Sequence, residues 1–300
     1  MLDVIGVGAN SVDHVYRLPE FPKPDSPAAK LRITHHAITC GGQTATTVCT
    51  CAAMGLRSRY VGATGNDDHG RLVRDELSRR GVDITHTAVR DAANAYAVIL
   101  LDDVQGERVV LWDRESRLDL TPGDIDAAGI GDARLLHVDD VDAEASIHAA
   151  SIAREAGIPV VSDIERLGDR TEALIASVTV PIFAEHALEP LTGERDFERA
   201  LRVLRRRHDG MLCVTLGARG AMLLDGDRLY HEPAFQAAVL DTTGAGDVFR
   251  GGFIAALLRG DLPGDILRFA NAAAAISCTR LGAINGVPTL EETQALARSF

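Results

Sequence analysis

The feature that most limits the fold of this 300-residue chain is an alternation of short apolar runs with longer helical ones, joined by brief polar links. It is clearest in the second half. Arg134–Val138 reads as strand, Glu144–Ala156 as helix, and Pro159–Ser162 and Val180–Ala184 as strands. Phe197–His208 then reads as a basic, solvated helix, and Met211–Leu216 and Ala221–Leu224 as further strands. Strands apolar along their whole length need cover on both faces, which helices connecting parallel strands provide. The pattern predicts an α/β protein with a mainly parallel central sheet and its ligands at the carboxyl ends of the strands. Asp13, Gly41-Gly42, Asp139-Asp140, Asp163, Glu185, Thr215–Gly217 and Asp247 all follow strands or open helices, which points them to one edge of that sheet.

The segment Asp241–Phe253 carries the sharpest chemistry. Gly244, Ala245 and Gly246 leave the backbone open to a ligand where an apolar run, Ala237–Leu240, meets a helix of small residues. The first N–H groups of a helix are unpaired and carry partial positive charge, so this site suits a phosphate or a developing oxyanion. Asp247 is a poor ligand for an anion but a reasonable general base for an attacking hydroxyl. The plainer reading is a capping aspartate at a helix start. Cys40-Gly41-Gly42-Gln43 opens a second helix, Thr44–Met54, in a similar way, with close packing of a glycine turn as its plain alternative.

Composition narrows the partners. A net charge of −12 argues against broad binding to nucleic acid or anionic membrane, while a local phosphate site made of backbone dipoles needs no lysine. Aromatic residues make up only 4%, a composition suited to helices packed closely on a sheet. Cys40, Cys49, Cys51, Cys213 and Cys278 form a scattered, odd set that reads as free thiols. His35-His36 lacks ligand-spaced partners, and Asp67-Asp68 fits a turn and cap better than a metal. The chain opens directly on a strand, with no leader and no membrane-length apolar run, so a cytoplasmic location is expected.

Three segments break the alternation. Lys30–Thr39 has strand character, and Tyr96–Leu101 with Arg108–Trp112 suggests a hairpin turning through Asp103–Glu107. These pieces predict a separate small sheet, serving as a lid or an oligomer contact. Ala9–Asp13 reads as a polar loop. Gly6-x-Gly8 is half of a dinucleotide fingerprint, but Pro19, Pro22, Pro24 and Pro27 forbid the helix that should follow.

Taken together, Gly41–Thr46 and Asp241–Phe253 resemble the two signatures of the ribokinase-like (PfkB) carbohydrate kinase family. Gly8–Asp13, Gly62–Asp67, Thr215–Gly220 and Asn271–Gly282 extend the resemblance over essentially the whole chain. It implies one domain, 1–300, of three α/β/α layers with a small β-sheet lid from roughly 13–40 and 93–114. It also implies ATP-dependent phosphorylation of a sugar hydroxyl. In that scheme Asp247 is the general base, and Gly244, Ala245 and Gly246 form the anion hole. Ser11, Asp13, Gly41, Gly42, Gln43, Thr46 and Asp140 meet the sugar. Thr215, Gly217, Gly220 and Asn271 line the nucleotide pocket.

Mg²⁺ accompanies ATP in this family, and Asp241 and Thr243 fall where many members bind K⁺. The family's Asn-x-x-Glu segment reads here as Ala184-Glu185-His186-Ala187, which leaves Glu185 or Glu189 to substitute in the Mg²⁺ network, or water to hold the ion instead. This departure, with Phe183–Glu185 and Cys278–Gly282, resembles the ketohexokinase and sulfofructose kinase branches. The implied substrate is a ketose or related monosaccharide phosphorylated on a primary hydroxyl. Arg114 is either a partner for an anionic substituent or a solvated strand end. A nucleoside kinase is the alternative within the family, set back by few aromatic residues near the lid. A non-catalytic sugar or nucleotide sensor is the alternative outside it. The lid is expected to pair with a second subunit in a homodimer.

Overall fold

A computed structural model describes residues 1–103 and 108–299, with the side chains of Ala28 and Ala128 left aside. The strands, in chain order, are β1 (Leu2–Val7), β2 (Ser11–Leu18), β3 (His35–Gly41), β4 (Ser58–Val61), β5 (Ala63–Gly65), β6 (Ala88–Arg90) and β7 (Tyr96–Asp102). They continue with β8 (Arg108–Asp113), β9 (Ala133–Val138), β10 (Val160–Ile164), β11 (Val180–Ala184), β12 (Leu212–Thr215), β13 (Ala221–Asp225) and β14 (Arg228–Glu232). Eight of them form one sheet in the order β14-β13-β12-β11-β10-β9-β1-β4. From β4 to β12 every pairing is parallel, and β13 and β14 close the far edge as antiparallel strands.

Period-two alternation sends successive side chains to opposite faces. Val4, Leu135, Val161, Ile182 and Cys213 point to one face, where they join Phe249, Phe253 and Ala270 from the helices Ala245–Arg259 and Pro263–Ser277. Ile5, Leu136, Val160, Phe183 and Val214 point to the other, against Ala149, Leu174 and Leu201 from Ala143–Glu155, Thr171–Ser177 and Phe197–Arg205. The result is the three-layer α/β/α arrangement. The connections leave β1 in one direction toward β4 and in the other toward β9, so a crevice opens at the carboxyl ends of β1 and β9.

A second sheet, β3-β2-β7-β8, stands over that crevice as a lid. Its registers put Ile38, His14, Val98 and Leu111 in one row across all four strands, while Asp13, Ala97 and Trp112 share the opposite face. The predicted turn residues Val104–Glu107 lie outside the described residues.

Several boundaries differ from the expectations. Ala9–Asp13 is not a loop throughout, because Ser11 begins the eight-residue strand β2. Its mixed side chains hide a strand buried only at intervals. β3 begins at His35 rather than Lys30. β14 and the helix Glu185–Thr192 are additional. Phe197–Arg205 is not solvated all round, since Ala200, Leu201 and Leu204 are buried. Among the described residues, no helix is long and apolar enough to cross a membrane.

Candidate active site

A cavity of about 220 Å³ lies between the sheet crevice and the lid. Gln43, Thr243, Gly244 and Asp247 line its floor, and Asp13, Tyr96 and Trp112 its roof. Both floor helices are entered through a glycine that holds an unusual backbone. Gly42 has φ 97°, and a Cβ there would stand 2.3 Å from the Asn10 backbone. Gly244 has φ 75°, and a Cβ there would stand 2.5 Å from that of Ala283. Any side chain at either position would be both strained and obstructed.

The Ala245 N–H turns back to the Thr242 carbonyl at 3.2 Å. This leaves the N–H groups of Gly246 and Asp247, at the positive end of the Ala245–Arg259 helix, to serve an anion. The loop before them is shaped by buried Asp241, whose two carboxylate oxygens accept the N–H of Thr243 at 2.9 Å and of Gly282 at 2.8 Å. The Thr243 hydroxyl is buried without a hydrogen-bond partner, an orphan oxygen that fits a K⁺ ligand beside the Asp241 carboxylate.

Asp13 accepts from the Ser11 hydroxyl at 2.7 Å, and burial pushes its carboxyl up to about 6 against the pull of that bond. Burial also pushes Asp139 to about 6, although it accepts from the Ala9 N–H and the Thr44 hydroxyl, each at 2.7 Å. Asp139 thereby ties the ends of β1 and β9 to the helix Gln43–Ala53 across the crevice. Asp247 is raised well above the usual carboxylate range, first by burial and then by the neighbouring Asp163 carboxylate, with Arg250 acting in the opposite sense. A raised carboxyl suits a base that must collect a proton near neutral pH.

The remaining expected residues divide into two groups. Gly41 and Gln43 stand beside Asp13 and Asp247, and Gln43 donates to Asp163 at 3.0 Å and to Glu165 at 3.3 Å. Thr215, Gly217 and Gly220 gather at the end of β12, where a Cβ on Gly220 would meet the Glu232 carbonyl at 2.0 Å. Asn271 donates to the carbonyls of Glu232 and Pro233 at 2.9 and 3.2 Å, which places it against the same corner and engages its amide there.

Four expected residues are buried or already engaged by protein groups. Thr46 is fully buried and absent from the cavity wall. Arg114 is not a solvated strand end: it lines the cavity, with its guanidinium paired to Asp142 at 2.7 Å and to Asp119 at 2.9 Å. Asp140 accepts the backbone N–H groups of Glu165 and Arg166, each at 2.6 Å, and so organises a loop. Glu185 is paired with Arg219, and among the described residues no cluster of three or more acidic, histidine or cysteine side chains offers a metal site. Asp67 does cap its helix, accepting from the Gly70 N–H at 2.9 Å.

Three relationships were not anticipated. Arg108 of the lid donates to the Thr242 hydroxyl beside the anion hole. The guanidinium of Arg166 stacks over Trp112, 4.7 Å from the ring centre, joining the lid to the loop after β10. Asp163 and Arg250 form a buried ion pair under the helix start. The last left a trace in the sequence: Arg250 is a charge set among small and apolar residues, which demands an opposite partner.

A parallel sheet roofed by a small lid, with a glycine-bounded anion hole and a carboxylate beside it, defines a phosphotransferase site. The model of the pfkB family carbohydrate kinases matches residues 1–290, and the chain belongs to that family of kinases. It is 29% identical over 299 residues to an ATP-dependent ribose-1-phosphate kinase of Halopiger xanaduensis, covering 98% of both chains. It is 27% identical over 296 residues to a ribokinase of Haemophilus influenzae, covering 96% of this chain and 95% of that one. Among solved structures, ribokinase of Thermotoga maritima superposes with a TM-score of 0.86 at 27% identity, over the full length of both. The family is therefore the expected one, while these relatives do not single out the ketohexokinase or sulfofructose kinase branch.

Proposed function

We propose that this kinase transfers the γ-phosphoryl group of ATP to a primary hydroxyl of a monosaccharide, a ketose or sugar derivative, bound between Asp13 and Asp247. The observation that carries the reading is the placement of Asp247 beside the free N–H groups of the Gly244–Gly246 helix start, on the floor of a covered cavity. The sugar hydroxyl oxygen forms the new bond to phosphorus, and its proton passes to Asp247. The β,γ-bridging oxygen leaves on ADP with its bonding electron pair. The Gly246 and Asp247 N–H groups receive the charge on the equatorial oxygens. Mg²⁺ supplies charge neutralisation on the phosphates.

Within this assignment, Asp13 with Ser11, Gly41, Gly42 and Gln43 orient the sugar, while Thr215, Gly217, Gly220 and Asn271 border the nucleotide. Asp241 and Thr243 are the proposed K⁺ ligands. Alignment and electrostatics carry most of phosphoryl transfer, and a positioned base adds about 10²- to 10⁴-fold. The lid over the cavity limits water as a competing acceptor. A second reading, nucleoside phosphorylation, gains support because Trp112 lines the cavity and offers a surface for a base.

The lid's outer row also supports the proposed homodimer. Ile38 and Leu111 are 50% and 56% exposed on its outer face, and Val109 joins them. ADP release with Mg·ATP, measured over a panel of pentoses, ketoses, sugar acids, sugar phosphates and nucleosides, tests the function. Turnover stimulated by a monosaccharide supports it, and turnover confined to nucleosides selects the second reading. ATP binding without stimulation by any acceptor overturns both.

A further inference from the structure

The Arg250–Asp163 ion pair lies under the helix start that carries Asp247. Arg250 and Asp163 have side chains only 4% and 1% exposed. One Arg250 nitrogen meets the Asp163 carboxylate, and another lies so close under Gly246 that a Cβ on that glycine would stand 2.7 Å from it. The second Asp163 oxygen accepts the Gln43 side-chain amide at 3.0 Å. A continuous chain thus runs from Gln43 on the cavity wall through Asp163 and Arg250 to Gly246, one residue from Asp247. Arg250 follows Asp247 by three positions on the same helix, close to one helical turn.

A guanidinium in this place is costly unless its charge is needed. The groups around Asp247 are mostly acidic: Asp163 and Glu165 from β10 and the loop after it, Asp139 and Asp140 from the end of β9, and Asp13 from the lid. His137 of β9 is buried, and its surroundings hold it neutral. The Gln43 amide, from the floor helix, carries no charge. Arg250 is the buried cation in this group. We infer that Arg250, anchored by Asp163, is a positioning residue that keeps Asp247 available as the base by balancing the carboxylates gathered around the reacting hydroxyl. The inference rests on the kinase reading above. Burial and Asp163 both raise the Asp247 carboxyl, and Arg250 opposes them, in keeping with this arrangement.

Two single substitutions act in opposite directions on the pH dependence of kcat/KM, whose acid limb reports the base in the free enzyme. Arg250→Met removes the cation, so the limb moves to higher pH by about one unit or more, and activity lost at neutral pH returns in alkali. Asp163→Asn leaves Arg250 unopposed, so the limb moves to lower pH. The double variant returns toward wild type, and Arg250→Lys keeps the limb near it. Carboxyl ¹³C NMR of aspartate-labelled protein, with the Asp247 signal assigned from Asp247→Asn, follows the same titration without a substrate. Opposite shifts support the inference. Equal losses at every pH with a stationary limb, or an Asp247 signal that titrates alike in all variants, overturn it. If Arg250→Met does not fold, Asp163→Asn decides alone: a downward shift supports, and none overturns. Should no acceptor be turned over, the kinase reading fails, while the NMR titration still reports whether the ion pair controls Asp247.

Discussion

The Gly282 N–H donates to the Asp241 carboxylate at 2.8 Å, joining residues 41 apart in sequence. This bond brings Ala283 against Gly244, where it occupies the space of the missing Cβ. The proposed anion hole is therefore shaped from both sides, by the clamp on Asp241 and by the wall at Ala283. Asp241→Ala orphans two N–H donors, each worth about 1–3 kcal/mol when left buried and unpaired. Urea unfolding should show that loss, and Asp241→Asn should recover part of it by keeping one acceptor. Gly244→Ala adds the left-handed backbone penalty of about 1–2 kcal/mol to the obstruction. It should depress turnover more than stability, since the helix start must move away from the phosphate.

Asp13 predicts a signed pH effect. Its folded value of about 6 lies above the ordinary 3.8, so the folded protein binds the proton more tightly than the unfolded chain does. Its contribution to stability is fully present below about pH 4 and is lost as the pH rises through about 6. Asp13→Asn removes that dependence. Relative to wild type, the variant should be more stable at pH 7 than at pH 4, while its KM for the acceptor rises. A stability difference that stays constant with pH would count against a buried, strained carboxylate at this position.

Leu111 tests the lid as a subunit contact. It lies in the outer row with Ile38 and is 56% exposed in the single chain. Light scattering should give twice the chain mass for wild type, and Leu111→Glu should shift the mass to that of one chain by placing like charges at the contact. A wild-type mass of one chain removes the proposal.

Much of this was legible in the sequence because the governing patterns are local. The β–α alternation led to the parallel sheet, and Gly244–Gly246 with Asp247 marked the helix start on the cavity floor. β2 was obscured because its side chains are buried only in part, so period-two alternation was incomplete between Ser11 and Leu18. β14 escaped because its residues are exposed or half-buried along their length. The partners of Arg114 and Arg250 lie far along the chain. Arg114 finds Asp142 28 positions away, and Arg250 finds Asp163 on a different layer, distances that no sequence spacing encodes. Arg250 did leave a cue, a charge within the helix Ala245–Arg259, whose neighbours Phe249, Gly251 and Phe253 are all buried.

The central claim is that Asp247 takes the proton of the acceptor hydroxyl. A single-turnover measurement of phosphoryl transfer from ATP to an acceptor found in the panel, comparing wild type with Asp247→Asn, tests it most directly. Removal of a positioned base should slow the chemical step by about 10²- to 10⁴-fold while ATP and acceptor still bind nearly as tightly. A rate within about threefold of wild type, with binding unchanged, would contradict the assignment.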